Sequence, residues 1–312
     1  MSVEETANYE LNSVPDSFSQ KDRENVLMLG DFHAMDPRPG ERISYIREVC
    51  EDINRALERY NSEKIVFNGD TGSADHLGTI LNYVEAEEVV FIEGDEDRKI
   101  DEEKDYVGWA EILDSREEEI FDTDVSYSLN GEHIRLDNQF DLPGKYPVHV
   151  QHFPRECSDS REQNGFESFW FSDNQLYDLY GYAKSPTVKN RVQAAFHSHV
   201  HGYNSREIGD TALISLGSLR NNYVTDSDFL PEASLQAVSF GSSDFEIVHE
   251  DRETRVLQES QKFRETKDGF RKVKSRGKDH LSPLQRFKWG ELPADYLQHL
   301  QQIEQNSLKK AV

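Results

Sequence analysis

The sequence predicts an α/β fold in which a largely parallel sheet is followed by a β-rich half. Three observations predict it. Apolar runs of strand length at 26–29, 64–68 and 88–92 each close on a glycine and then an acid, at Gly30-Asp31, Gly69-Asp70 and Gly94-Asp95. Segments with helical spacing lie between these runs. Beyond residue 120, short alternating segments flank the turn signals Asn130-Gly131 and Gly209-Asp210.

Taken in order, residues 1–24 are polar and lack periodicity, and a flexible arm is expected there. The first strand delivers Asp31-Phe32-His33. Alternate side chains at a strand end point the same way, so Asp31 and His33 face one point together. Two prolines and a glycine in 34–40 mark a loop. Ile43, Ile46, Val49, Ile53, Ala56 and Leu57 then repeat at helical spacing. A second strand at 64–68, a helix at 76–84 and a third strand at 88–92 complete the repeats. Ligands collect at the carboxyl ends of such strands.

A further helix is expected at 106–120. The segments 124–129 and 132–136 read as a hairpin about Asn130-Gly131. The alternation at 146–151 runs into His152, a helix is expected at 174–184, and a strand at 192–196 delivers His197-Ser198-His199-Val200-His201. A second hairpin, 206–208 with 211–216, and strands at 235–240 and 245–249 close the β-rich half.

Charge is the dominant feature of the composition. The 312-residue chain has a formal net charge of -25. Residues 251–312 hold 14 Lys or Arg against 9 Asp or Glu, a surplus of +5 that leaves -30 on residues 1–250. Repulsion on that scale suits a salt-rich, halophilic interior, where screening is short-ranged. The basic stretch from Lys262 to Lys288 predicts a tail that is helical or partly disordered, with nucleic acid as a further partner, since phosphate contact needs little beyond clustered positive charge. Cys50 and Cys157 give no disulfide framework, which fits a cytoplasmic location. No apolar run approaches membrane-spanning length, so no membrane partner is expected.

The strand ends together supply Asp31, His33, Asp70, Asp95, His152, His199 and His201. Carboxylate and imidazole donors in this mixture suit divalent metals. Seven are too many for one ion and about right for two. The other histidines, His76, His133, His149, His249, His280 and His299, are scattered and read as surface or packing residues.

The order of these blocks resembles the calcineurin-like metallophosphoesterase superfamily, in its small bacterial and archaeal phosphodiesterase branch. Gly30-Asp31-Phe32-His33, Gly69-Asp70, Gly94-Asp95-Glu96-Asp97, Gln151-His152 and Ser198-His199-Val200-His201 carry the likeness, over residues 25–250. The hairpin through Gly209-Asp210 and the turn at Gly217-Ser218 resemble the branch's closing segment.

The resemblance implies a four-layer α/β/β/α sandwich with the tail, 251–312, outside it. It implies two divalent ions, Mn²⁺ foremost, with Ni²⁺, Zn²⁺, Fe or Mg²⁺ as alternatives. Asp31, His33 and His201 would hold one ion, Asp95, His152 and His199 the other, with Asp70 bridging. The triplet offers the pairs 197/199 and 199/201; the second keeps the family's spacing to the closing hairpin, which leaves His197 outside. The implied reaction is in-line attack on a phosphoester, preferably a diester, by a bridging hydroxide, with Asp70 and Glu96 as the catalytic pair.

This sequence departs from the pattern in having Asp95 for asparagine, Ser198 for glycine and Glu96 for the catalytic histidine. Cations beside Glu96 pull its pKa down, so slow chemistry or good leaving groups are expected. Two other readings follow: a metal-binding interaction module without turnover, and a nuclease of the same superfamily using the basic tail.

Overall fold

The apolar run near residue 26 is a strand, Glu24–Gly30 (β1), whose side chains divide between two cores in a computed structural model of the chain. The structure describes residues 13–34, 42–94, 97, 123–128, 134–136, 139–144, 146, 148–152, 194–198, 203–208, 211–220, 233–267 and 269–277.

Three parallel neighbours follow β1: Lys64–Asn68 (β2), Glu88–Ile92 (β3) and Asp124–Ser128 (β4). Two helices, Arg42–Tyr60 (α1) and Ala74–Leu81 (α2), cross between them. A second group comprises Ile134–Arg135 (β5), Val148–Gln151 (β6), Ala194–His197 (β7), Asn204–Ile208 (β8) and Thr211–Ser215 (β9). The chain then returns to the first sheet through Ser234–Phe240 (β10), Asp244–Asp251 (β11), Leu257–Thr266 (β12) and Gly269–Gly277 (β13). The result is an eight-stranded sheet in the order β13-β12-β11-β10-β1-β2-β3-β4 and a five-stranded sheet in the order β5-β6-β7-β9-β8.

Burial on both faces explains the uninterrupted apolar runs. Leu27, Leu29, Ile65, Phe67, Val89 and Phe91 face Val49, Ile53, Leu77 and Ile80 of the helices. Val26, Met28, Val66, Val90 and Ile92 face Val148, Val150, Phe196 and Ile214 of the smaller sheet. Helix, sheet and sheet are therefore stacked as three of the four expected layers, and the fourth is not among the described residues. The helices expected at 106–120 and 174–184, and the tail from 278, lie outside the described residues.

Register sets the position of the site. Gly30 is level with Asn68, and Asn68 with Ile92, so three strands end on one line. Within the second sheet β6 is parallel to β7, with Gln151 opposite His197, so His152 and Ser198 emerge together.

Three expectations are corrected. The predicted hairpin about Asn130-Gly131 does not form, because its strands join different sheets: β4 extends β3, whose edge would otherwise stay unpaired, and β5 pairs with β6. The N-terminal arm is ordered by residue 16, where a 3₁₀ turn, Asp16–Ser19, buries Phe18 against Tyr60. The tail is neither helical nor separate over 257–277: β12 and β13 are strands whose Phe263 and Phe270 enter the core between the sheets. A boundary drawn on charge alone misses those alternating apolar positions. The second hairpin, with Ile208 opposite Thr211, is present as expected. α1 begins one residue before Ile43, which is exposed, so the buried part of the expected stripe starts at Ile46.

Candidate metal centre

At the ends of β1 and β2 the backbone turns sharply. Asp31, His33 and Asp70 all adopt left-handed conformations, at φ 48°, 49° and 47°. Each costs roughly 1–2 kcal/mol in an L-residue. The loops hold one another: the His33 amide donates to the Asp70 carbonyl at 2.7 Å and the Ala34 amide to the Thr71 carbonyl at 3.0 Å. Strain placed on three candidate ligands at once is a feature of functional sites.

The turns bring one ligand atom each from Asp31, His33 and Asp70 within 4.8 Å of one another, all three residues buried. His152 joins from the other sheet, its Nε2 3.3 Å from Asp70 Oδ2. Its Nδ1 lies 2.9 Å from the Asn68 carbonyl and 2.9 Å from Ser198 Oγ. A carbonyl only accepts, so Nδ1 carries a proton, and Nε2 is left to face Asp70. With the ring neutral, Nε2 and the Asp70 carboxylate offer two donors to one cation. The donor set therefore fits a divalent metal.

Close packing fixes this arrangement. Gly69, at φ 81°, lies under the His152 ring, where an added Cβ would sit 2.0 Å from Nδ1. Asn68 Nδ2 donates to the Gln151 carbonyl at 2.9 Å and joins the two sheets beside the site. Ser198 donates its hydroxyl to the Asn68 carbonyl. Ser218 donates to the Asp31 carbonyl at 2.9 Å, so the Gly217-Ser218 turn braces the first ligand.

Two residues had no role in the sequence reading. Asp97, the last member of the third block, is wholly buried and accepts amide hydrogens from Gly72 at 2.7 Å, Gly94 at 2.8 Å and Thr71 at 3.3 Å. It ties the end of β2 to the end of β3. Burial, then the nearby Asp70 charge, pushes its carboxyl well above the usual range, while the Gly94 and Gly72 amides pull the other way. An acid three places after a strand-end glycine was the available signal. Arg220, two residues past Ser218, is half-buried, its Nη1 3.5 Å from the His33 carbonyl and its guanidinium 5.7 Å from the centre of the Tyr45 ring.

Of the predicted site residues, Asp31, His33, Asp70 and His152 converge. Asp95, Glu96, His199 and His201 lie outside the described residues. His197 is buried on β7. Three of the scattered histidines are packing residues: His249 stacks on Tyr203, His149 is buried in β6, and His76 Nδ1 accepts the Ser73 amide at the start of α2.

No protein-family model and no curated protein matches the chain. Among solved structures, it is similar to a wild-type Vps29 from Entamoeba histolytica complexed with zinc, at 14% identity and a TM-score of 0.40 over 81% of this chain and 98% of that one. It is similar to a predicted phosphoesterase from Streptococcus pneumoniae at 11% identity and a TM-score of 0.40, over 81% of this chain and 98% of that one. An archaeal phosphodiesterase gives 14% identity and a TM-score of 0.40, over 69% of this chain and 92% of that one.

Proposed function

We propose that the protein is a metal-dependent phosphoesterase that prefers diesters. The observation that carries the reading is the convergence of Asp31, His33 and Asp70 within 4.8 Å, with His152 Nε2 3.3 Å from Asp70. Two divalent cations, Mn²⁺ foremost, would supply the charge that stabilises in-line displacement at phosphorus.

The chain's own residues do the rest. Asp31 and His33 hold one side of the site, His152 the other, and Asp70 stands between them in the bridging place. Asp95, His199 and His201 complete the set in this reading. Asn68 and Ser198 hold the His152 ring in its metal-facing tautomer. Burial of the donors strengthens every charge interaction at the centre. Arg220, at the His33 side, is suited to an anionic ester oxygen. By the resemblance of the third block, Glu96 stands in sequence where the family has the histidine that protonates the leaving oxygen.

A second reading, a metal-binding module without turnover, is favoured by Glu96 standing in place of histidine. A salt-rich cytoplasm is the proposed setting, on the net charge of -25. The deciding experiment is turnover of an aryl phosphodiester at high KCl with Mn²⁺, Ni²⁺, Zn²⁺ or Mg²⁺. Metal-dependent hydrolysis is expected. Metal uptake with no turnover on any ion would select the module.

A further inference from the structure

The last two strands carry a cationic face in a chain where acids outnumber bases by 60 to 35. Phe263 points into the core between the sheets, and Lys272, opposite it, donates from Nζ to Ser205 Oγ at 3.0 Å on that same inner side. The alternate positions therefore point outward, on the side where Val248, opposite Ser260, joins the helix-packed core. Those outward positions are Ser260, Lys262, Arg264 and Thr266 on β12, and Arg271, Lys274 and Arg276 on β13. They hold five bases and no acid.

Two of the cross-strand pairs set like charges directly opposite each other, Lys262 to Lys274 and Arg264 to Arg271. Such pairs are destabilising on their own. Lys262 is neutralised by Asp244, at 2.6 Å. Arg264, Lys274 and Arg276 are exposed and make no ion pair among the described residues. Charge on an edge strand guards against edge-to-edge pairing, but either sign serves for that. Selecting bases alone, in so acidic a chain, points to an anionic partner.

We infer that the outer face of β12–β13 binds the phosphate backbone of a nucleic acid. Arg271, Lys274 and Arg276 lie opposite Arg264, Lys262 and Ser260, a bulge at Val273 keeping them on one face, and they run along the strand for about 14 Å, a line that suits a linear polyanion better than the surface of a second acidic copy. Screening confines the repulsion of the acidic body to roughly 8 Å at physiological salt, so the face acts locally. Its outer strand, β13, lies four strands from β1, about 19 Å across the sheet, and the face does not depend on the metal centre for binding.

The test is fluorescence anisotropy of a labelled single-stranded oligothymidylate against KCl concentration, with the full chain and with EDTA present to prevent turnover. Binding should weaken linearly on logarithmic axes. In Lys274→Gln/Arg276→Gln the slope should fall by about 1.4, since each lost phosphate contact on a single strand removes about 0.7. A matching circular dichroism melt shows that the variant is folded. An unchanged slope in the folded variant overturns the inference. So does a parent that fails to bind at low salt, or one that self-associates through this face instead. Binding with EDTA but no hydrolysis with any metal would keep this inference and remove the phosphoesterase reading.

Discussion

Gly94 stands against Asp70 so closely that a Cβ on it would lie 2.2 Å from Asp70 Oδ1 and 2.3 Å from the Asp70 backbone nitrogen. The glycine that closes β3 is thus part of how the carboxylate from β2 is aimed. Backbone cannot yield as a flexible side chain does, so Gly94→Ala must move the loop bearing Asp70. The expected cost is about 2 kcal/mol, as for other overpacked cores. Metal affinity should fall with it. Calorimetric titration with Mn²⁺ and a thermal melt check this, and parent-like values in both would contradict it.

Asp70 itself is the stronger probe of the proposed chemistry. It lies between His33 and His152, and Asp70→Asn keeps the shape while removing the charge. Metal analysis after dialysis should show fewer ions per chain than the parent, with hydrolysis abolished. Full metal occupancy together with intact hydrolysis would sink the bridging assignment.

How much of this was legible in the sequence depends on how local the signal is. A glycine and an acid after an apolar run depend on one strand end, and Asp31 and Asp70 are legible that way, with His33 two residues past Asp31 and His152 at the end of the alternating run 146–151. Pairing is not local. The Asn130-Gly131 turn signal was sound chemistry for a hairpin, yet β4 found its partner in β3 and β5 in β6. Asp97 was overlooked because its work, accepting the Thr71, Gly72 and Gly94 amides, joins loops that only the fold brings together. In β12 and β13 the charged outer positions dominate the composition and conceal a few inward phenylalanines.

Glu96 bears on the rate of the proposed reaction. An unperturbed histidine titrates near pH 6.5 and gives up a proton easily at neutrality, whereas a glutamate starts near 4.3. Two cations held as proposed would favour the ionised form of a nearby glutamate, which would repel an anionic ester. Glu96→His should then speed hydrolysis, most for poor leaving groups, and Glu96→Gln should cost little. Loss of activity in Glu96→Gln, together with loss of the alkaline limb of the pH profile, would show that the glutamate is a working acid.

Asp244 predicts how the fold responds to acid. It receives Arg23, from the segment before β1, at 2.5 Å and Lys262 of β12 at 2.6 Å, so one carboxylate ties three parts of the large sheet. Burial raises its pKa, but the hydrogen bonds and charges of Lys262 and Arg23 outweigh burial and leave it below the usual carboxylate value. A group whose pKa is lowered by folding stabilises the native state above its unfolded pKa, about 3.9, and loses that contribution as pH falls through the folded value. Asp244→Asn should therefore cost about 1 kcal/mol at pH 7, the modest figure for a partly solvated ion pair. The deficit should hold from pH 7 to about 4 and shrink below that. Urea unfolding of parent and variant from neutral to acid pH measures it. A deficit that persists unchanged at the lowest pH where both proteins fold would mean that the side chain acts by shape rather than by charge.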